Sequence, residues 1–313
     1  MASSPIRYDN HEDEWRRVLD DADRRRVGDT WFDTETLDAW RHARMRAPLA
    51  AFIAQDPQAS WLTIGDGRYG TDANFLLRSG ARSVHCTDIS DTLLRIGHER
   101  GFIQSYSAQN AEALAFADGS FDYVYCKEAL HHFPRPYVAL YEMFRVARKA
   151  VILTEPRDQL VESAPLGFLW RGLKRVLGRT TPPRHTFESV GNYVYAVSER
   201  DLEKFLLGMH HTDVAFTGCN DIHVPGVEFV PQTATTPAHR KIKTRLIRRI
   251  ALADLLCRLG LAKSALLTAA LFKVAPSGEL ARALADLGWA LRKLPANPYL
   301  APPPAGSPSG PSR

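Results

Sequence analysis

An apolar run, Trp61–Ile64, leads into Gly65-Asp66-Gly67-Arg68-Tyr69-Gly70 and then into a helical stretch. A G-x-G-x-x-G turn between a strand and a helix bends the backbone sharply. It lets a ligand approach the main chain and faces the amides of the helix start toward the ligand's polar groups. The alternation continues downstream. Ser83–Thr87, Tyr123–Cys126 and Ala150–Thr154 are short apolar runs, and helical segments follow Gly70 and Ser90 and span Tyr137–Ala147. Strands alternating with helices imply a parallel sheet of βαβ units. A helix begins at Ser198, with Asp201 three residues on, and runs to about Met209. Thr212–Gly218 (strand), Lys241–Leu259 (basic helix), Ser264–Val274 (apolar run) and Gly278–Leu287 (helix) then extend a doubly wound sheet. Upstream, Glu12–Ala54 reads as helical, with Asp33 or Thr34 capping a helix that carries Leu37, Trp40, Arg41 and Arg44.

The 313 residues suffice for one large domain or a domain with a sizeable appendage. No apolar run reaches the roughly 18 residues that span a bilayer, and Met1–Asn10 lacks the apolar core of a signal peptide. A cytoplasmic protein is the expectation, with peripheral contact at the inner face of a membrane left open. The four cysteines stand singly, so neither a zinc knuckle nor a redox pair is signalled. Cys86 and Cys126 lie in apolar segments, as buried thiols do. The net charge of +5 is mild, but basic residues concentrate in 171–184 and 239–249. The tail, 295–313, is rich in Pro, Gly and Ser and reads as disordered.

The second strand ends at Asp88, where a carboxylate can accept hydrogen bonds from both hydroxyls of a ribose. The glycine turn and this acid serve a nicotinamide cofactor equally well. The downstream motifs are more specific: Asn110-Ala111-Glu112-Ala113-Leu114-Ala115-Phe116, then Ser120-Phe121-Asp122, Leu130-His131-His132-Phe133 and Glu142-Met143-Phe144-Arg145-Val146. In this order the motifs resemble the small-molecule branch of the class I S-adenosylmethionine-dependent methyltransferases, the methyltransferase type 11 family. The match is close over 60–157 and holds downstream only in element order.

The resemblance implies a Rossmann-like, seven-stranded, mostly parallel α/β sheet with helices on both faces. It implies an N-terminal helical lid (1–57), a cofactor-binding half (58–158), an insertion after strand five (159–197) and a C-terminal part (198–294). It implies S-adenosylmethionine as cofactor. Gly65, Gly67 and Gly70 would line its methionine part, Asp88 would hold the ribose with Ile89 against the adenine, Asn110 and Ala111 would face the adenine edge, and the residues after strand four, near Lys127, would close over the sulfonium. Three positions depart from the family. Thr63 stands where an acid is common, with Asp66 as a replacement charge near the cofactor's amino group. Asn110 replaces an aspartate but keeps an oxygen that accepts from the adenine amino group. Ala115 replaces a proline.

His131 and His132 fit two readings. They pack or cap the following helix, or one of them, His132 by slight preference, is the general base for an oxygen nucleophile. Glu155 ends strand five at the carboxyl edge of the sheet, where it can orient a histidine or bind substrate hydroxyls. A double histidine with such an acid resembles sugar O-methyltransferases. The long segment Gln159–Tyr195 is expected to cover the acceptor site, offering His185, Glu188, Asn192 and Tyr193, with His185, Asn192 and Tyr193 as substrate-binding candidates.

The stretch 165–179 places Leu166, Leu169, Trp170, Leu173 and Leu177 at helical spacing with basic residues between. It reads as a packed amphipathic helix, a substrate lid or a peripheral membrane contact. The 239–249 run reads as a solvated helix face. No nucleic-acid motif is complete, and no acidic cluster marks a metal site. The expected activity is O-methylation of a small or carbohydrate-like acceptor, in surface-glycan or secondary-metabolite synthesis. The alternatives are methylation of a lipophilic quinone or lipid and, in another class, a non-catalytic cofactor-binding regulator.

Overall fold

The computed structural model describes residues 8–162, 165–177, 185–188 and 190–300. Four helices come first: α1 (Asp9–Asp20), α2 (Ala22–Asp29), α3 (Leu37–Arg46) and α4 (Ala50–Gln55). Asp21, in extended backbone, caps α2 by accepting from the amides of Asp23 and Arg24. The cap of α3 is Thr36, whose hydroxyl accepts from Ala39 N at 3.0 Å. This corrects the expectation of Asp33 or Thr34. Asp33 instead accepts from Glu35 N inside the preceding turn, the local bonding that draws aspartate to turns.

The sheet is built from β1 (Ser60–Ile64), α5 (Thr71–Arg78), β2 (Ser83–Asp88), α6 (Thr92–Glu99), β3 (Ser105–Ala108), β4 (Phe121–Lys127), α7 (Pro136–Val146) and β5 (Ala147–Pro156). Then come α8 (Pro165–Val176), α9 (Glu199–Gly208), β6 (Asp213–Cys219), α10 (Pro237–Arg258), β7 (Leu266–Phe272), α11 (Gly278–Asp286) and β8 (Ala290–Lys293). The order is β3-β2-β1-β4-β5-β7-β6-β8. Strands β1 to β5 are mutually parallel, β7 runs antiparallel between β5 and β6, and β8 runs antiparallel on the edge beside β6. The strand order reverses between β1 and β4, so the crevice at their carboxyl ends is where a ligand binds in an open α/β sheet.

Both sheet faces are covered, which is why the strands read as continuous apolar runs. Leu62, Ile64, Val124, Val151 and Leu153 pack with Leu140, Met143 and Phe144 of α7 and Leu202, Phe205 and Leu206 of α9. Trp61, Tyr123, Tyr125 and Ile152 face the other way, onto Phe52 of α4, Leu76 of α5 and Leu280 and Leu284 of α11. Each such burial is worth about 1.5–3 kcal/mol relative to exposure.

Among the described residues the sheet has eight strands rather than the expected seven. The extra one, β8, is exposed along its whole length and carries no apolar alternation. It is held by register with β6, including an ion pair between Lys293 and Asp213 at 2.7 Å.

The expected insertion leaves the sheet after β5 and returns to the same place. Asp158 N donates to Val197 O and Val197 N to Pro156 O, closing the excursion at its base. Within it, residues 186–188 and 192–194 pair as the arms of a short hairpin, in which Val194 N donates to Thr186 O and Glu188 N to Asn192 O. Residues 163–164, 178–184 and 189 of this expected insertion, and 301–313 of the expected tail, lie outside the described residues.

Candidate active site

The crevice at the switch point opens into a cleft of about 690 Å³. Its floor is made by the turns after β1, β2, β3 and β4, and its roof by α1, the α2 region and the 185–195 hairpin.

The three glycines have different duties. Gly65 lies on the cleft wall at φ +70°, and a Cβ there would come within 2.4 Å of Ala129 Cβ. At Gly67 a Cβ would stand 2.4 Å from the Trp15 ring and 2.8 Å from Asp88 Oδ2. Gly70, at φ +80°, precedes α5, and a Cβ there would meet Ile103 at 2.5 Å. It therefore sets helix-to-strand packing and does not line the cleft.

Asp66 lines the cleft, but its carboxylate turns inward. It accepts from the Asp72 and Ala73 amides at 3.0 and 2.8 Å, from Thr63 Oγ1 at 3.0 Å and from Cys86 Sγ at 3.3 Å. Burial, then the charge of Asp72, pushes its pKa up to about 7. The position thus corrects the expected contact with a cofactor amino group. It also separates the two cofactor readings. In a dinucleotide-binding turn the helix N-terminal amides hold a pyrophosphate. Here a carboxylate of the chain takes those amides at the start of α5, so the turn suits a cofactor without phosphate.

Asp88 is buried on the floor, and burial raises its pKa to about 7. Ser90 N donates to it at 3.1 Å, and the amides of Gly67 and Ile89 and the Trp15 indole also favour its charged form. Ile89, Asn110 and Ala111 line the same wall. Asn110 Oδ1 accepts from Glu112 N at 2.9 Å, an Asx turn that sets the loop after β3. Lys127, buried at the end of β4, reaches the cleft with its ammonium 3.6 Å from Asp72 Oδ1 and 3.4 Å from His42 Nδ1. Burial, then the charge of Lys127, keeps His42 neutral.

The two histidines have separate partners. His131 Nδ1 donates to Glu155 Oε2 at 2.6 Å. Glu155 is fully buried, and its Oε1 accepts from Ala129 N and Leu130 N at 3.0 and 2.9 Å. Burial opposes a charge on His131, yet the bond and charge of Glu155 outweigh it and raise its pKa. Neither group lines the cleft. Glu155 thus orients a histidine, the first of its two expected roles, and braces the loop after β4; it does not reach the cleft where substrate hydroxyls would lie.

His132 does line the cleft, with its side chain 45% exposed. Its Nδ1 stands 2.5 Å from Glu188 Oε1 in the hairpin. Burial, then the charge of His131, lowers its pKa despite Glu188. Asn192 Nδ2 bonds both His132 O and Glu188 Oε2, which fixes the hairpin over the histidine. His185 and Tyr193 instead join ring contacts with Phe187 and Tyr195, and neither lines the cleft.

The site-residue expectations contain nothing from α1. Trp15 sits on Gly67 and Asp88, Tyr8 OH donates to Glu112 Oε2 at 2.8 Å, and Asn10 Nδ2 donates to Val190 O at 3.0 Å. Glu112 also accepts from Arg135 N at 2.7 Å. The one signal for Glu112 is its place beside Asn110 and Ala111. Trp15 carries none, because its contact spans the whole glycine turn. Among the described residues, no group of three or more His, Cys, Asp or Glu is placed to hold a metal.

The site's features fit S-adenosylmethionine: a glycine at positive φ on the cleft wall, a buried carboxylate at the end of β2, and a helix start whose amides are taken by Asp66 and not free for a phosphate. The match to a family model agrees. Residues 62–154 match the family described as a methyltransferase domain. A curated relative, the ubiquinone/menaquinone biosynthesis C-methyltransferase UbiE of Nitrobacter hamburgensis, is 41% identical over 75 residues, 22% of this chain. The matched stretch spans only 29% of that relative's length. Among solved structures, magnesium protoporphyrin IX methyltransferase of Synechocystis with bound S-adenosylhomocysteine aligns over 62% of this chain and 81% of its own, at 21% identity and TM-score 0.37. A possible histamine N-methyltransferase of Thermotoga maritima aligns over 83% of this chain and 98% of its own, at 16% identity and TM-score 0.44. Residues 62–154, which build the floor of the cleft, thus carry a methyltransferase domain of the type 11 family.

Proposed function

We propose that the protein is an S-adenosylmethionine-dependent O-methyltransferase of a small, hydroxylated, carbohydrate-like acceptor. The observation that carries this reading is His132 on the cleft wall with Nδ1 on Glu188. A carboxylate on Nδ1 holds the proton there and leaves Nε2 as the ring atom that accepts one. The lowered pKa keeps that nitrogen unprotonated at neutral pH.

Gly65, Gly67, Asp88, Ile89, Asn110 and Ala111 would hold the cofactor, with Lys127 at the mouth of β4. Bound S-adenosylmethionine would supply an electrophilic methyl group, its carbon–sulfur bond breaking to leave the neutral thioether S-adenosylhomocysteine. His132 Nε2 takes the acceptor's hydroxyl proton as the new carbon–oxygen bond forms, and Glu188 stabilises the resulting imidazolium. Glu155 holds the loop that presents His132, through Ala129, Leu130 and His131. Trp15, Trp31, Glu14, Asp23, Glu128 and Glu188 line the rest of the cleft. Aromatic faces and carboxylates together suit the apolar faces and hydroxyls of a polyol. Asn192 Oδ1, buried and without a hydrogen-bond partner among the described residues, lies in the residue that binds His132 O.

The 1–57 and 159–197 segments would act as the two halves of a lid. The segment 165–179 is the sequence-based candidate for a membrane contact. Its described part, 165–177, holds α8 with Leu169, Leu173 and Val176 exposed, and no helix among the described residues is long and apolar enough to cross a membrane.

The second reading is C-methylation of a lipophilic quinone, favoured by the 41% identity over 75 residues to the ubiquinone/menaquinone biosynthesis C-methyltransferase. Labelled S-adenosylmethionine and a panel of glycosides and hydroquinones decide between them. Label in a methyl ether of a glycoside supports O-methylation. Label on a ring carbon overturns it. Cofactor binding without transfer to any acceptor would leave the non-catalytic regulator.

A further inference from the structure

Helix α10 has an exposed stripe in two chemically distinct halves. Its buried side is narrow: Leu246 and Ile250 pack on Leu37, Val224, Val227, Val230 and Ala234. On the exposed side Lys241, Arg245, Arg248, Leu252, Leu255 and Leu259 succeed one another at alternating steps of four and three residues. At 3.6 residues per turn they form one continuous stripe. The first three are cations. The last three are leucines, 57%, 50% and 61% exposed. Arg240 and Arg249 flank the cationic half.

A solvated helix face in a stable domain ordinarily interleaves its cations with carboxylates. This one does not. The helix has one acid, Asp254, and that residue is engaged by Arg44 and Asn220. Among the described residues no carboxylate lies within ion-pairing distance of Arg240, Lys241, Arg245, Arg248 or Arg249. The segments outside the described residues contain no Asp or Glu at all. The stripe is therefore open to an anion of another molecule.

We propose that α10 docks the protein on an anionic phospholipid bilayer, lying in the interface with its leucines among the acyl chains and its cations against headgroup phosphates. Cations next to exposed leucines on one stripe are the pattern of an interfacial helix. A nucleic acid would satisfy the cations but leave Leu252, Leu255 and Leu259 against phosphates, and the stripe holds no aromatic ring for a base to stack on. The placement also serves the site. The 220–265 connection that carries α10 starts at the carboxyl end of β6, the edge where the cleft opens. Leu246 and Ile250 rest on α3, whose His42 touches Lys127 of the cleft. The surface and its test are independent of the acceptor reading.

The test is co-sedimentation of the full chain with phosphatidylcholine vesicles and with vesicles containing about one third phosphatidylglycerol. Binding to the anionic vesicles only, weakened by salt, is the expected result. Replacing Lys241, Arg245 and Arg248 together by Gln should lower the partition coefficient about 100-fold, from three cations near a charged surface. Leu252, Leu255 and Leu259 replaced by Ser should also release the protein, while a charge-only contact would survive that change. Unchanged thermal unfolding and S-adenosylhomocysteine affinity show that each variant is folded. Equal binding to both vesicle types, no binding to either, or release from anionic vesicles by substoichiometric RNA or DNA would overturn the proposal.

Discussion

Floor and roof of the cleft differ in where their residues come from. Gly65, Asp66, Gly67, Asp88, Asn110 and Glu112 lie in one stretch of chain, and strand register brings them together. The roof joins Asn10 to Val190 and meets the floor through Tyr8 on Glu112 and Trp15 on Asp88, single contacts between residues far apart in sequence. On the floor, a buried acid such as Asp66 takes four donors from nearby backbone and side chains. A floor braced by many short-range bonds keeps its shape, and a roof held by a few is the part that can open. His132 sits at the seam, on a floor loop but bonded to Glu188 of the roof.

The seam gives the largest expected effect. His132→Ala should lower turnover by about 10²–10⁴ with cofactor affinity nearly unchanged. Burial and the neighbouring His131 depress the His132 pKa, so the rising limb of the pH–rate profile should fall below the ordinary histidine range and vanish in the variant. A variant that keeps both turnover and limb would make the seam structural only.

Next comes the floor. Asp88→Ala should weaken S-adenosylhomocysteine binding by about 2–3 kcal/mol in calorimetry, the scale of losing a charged hydrogen-bond partner. A chelator should change nothing. Equal affinity in the variant would break the assignment of the ribose to this wall.

A pH series sharpens the same contrast. Ribose hydroxyls donate best to a carboxylate, so affinity should climb as pH rises through about 7, where Asp88 ionises, and flatten in Asp88→Asn. Stability should move the other way. The folded pKa of Asp88 is raised above its unfolded value. Its contribution is therefore fully present below the unfolded pKa and is lost as pH rises through about 7. Denaturant midpoints for the chain and for Asp88→Asn, measured across that window, check the sign.

The smallest effect belongs to the roof. Tyr8→Phe removes one bond to Glu112, about 1 kcal/mol. Hydrogen exchange in α1 should quicken while the global unfolding midpoint stays almost unchanged. A large fall in the midpoint would mean that the roof is part of the core.

Legibility in the sequence divides along the same line. Gly65, Asp88, Ile89, Asn110 and Ala111 are legible because a strand end followed by a tight turn places a side chain whatever packs above it. Gly70 is legible as a glycine but not in its duty, because that depends on Ile103 approaching from the loop before β3. Asp66 carries an acid's signal, yet only the built helix start shows both its oxygens engaged. His185 and Tyr193 lie in the right segment, but the hairpin turns them toward an aromatic cluster and presents Glu188 and Asn192 to His132. The edge strand β8 is invisible because an exposed strand needs no apolar alternation.

By itself the sequence determined the alternating sheet, the glycine turn and the acid at the end of β2. These are set by hydrophobic period and by backbone geometry within a few residues. Only the tertiary structure decided which histidine meets the cleft, which carboxylate each histidine bonds, and that Trp15 covers Asp88. Those outcomes depend on side chains that meet across long loops. Their pairing is settled by packing of the whole fold, and no local pattern in the chain encodes it.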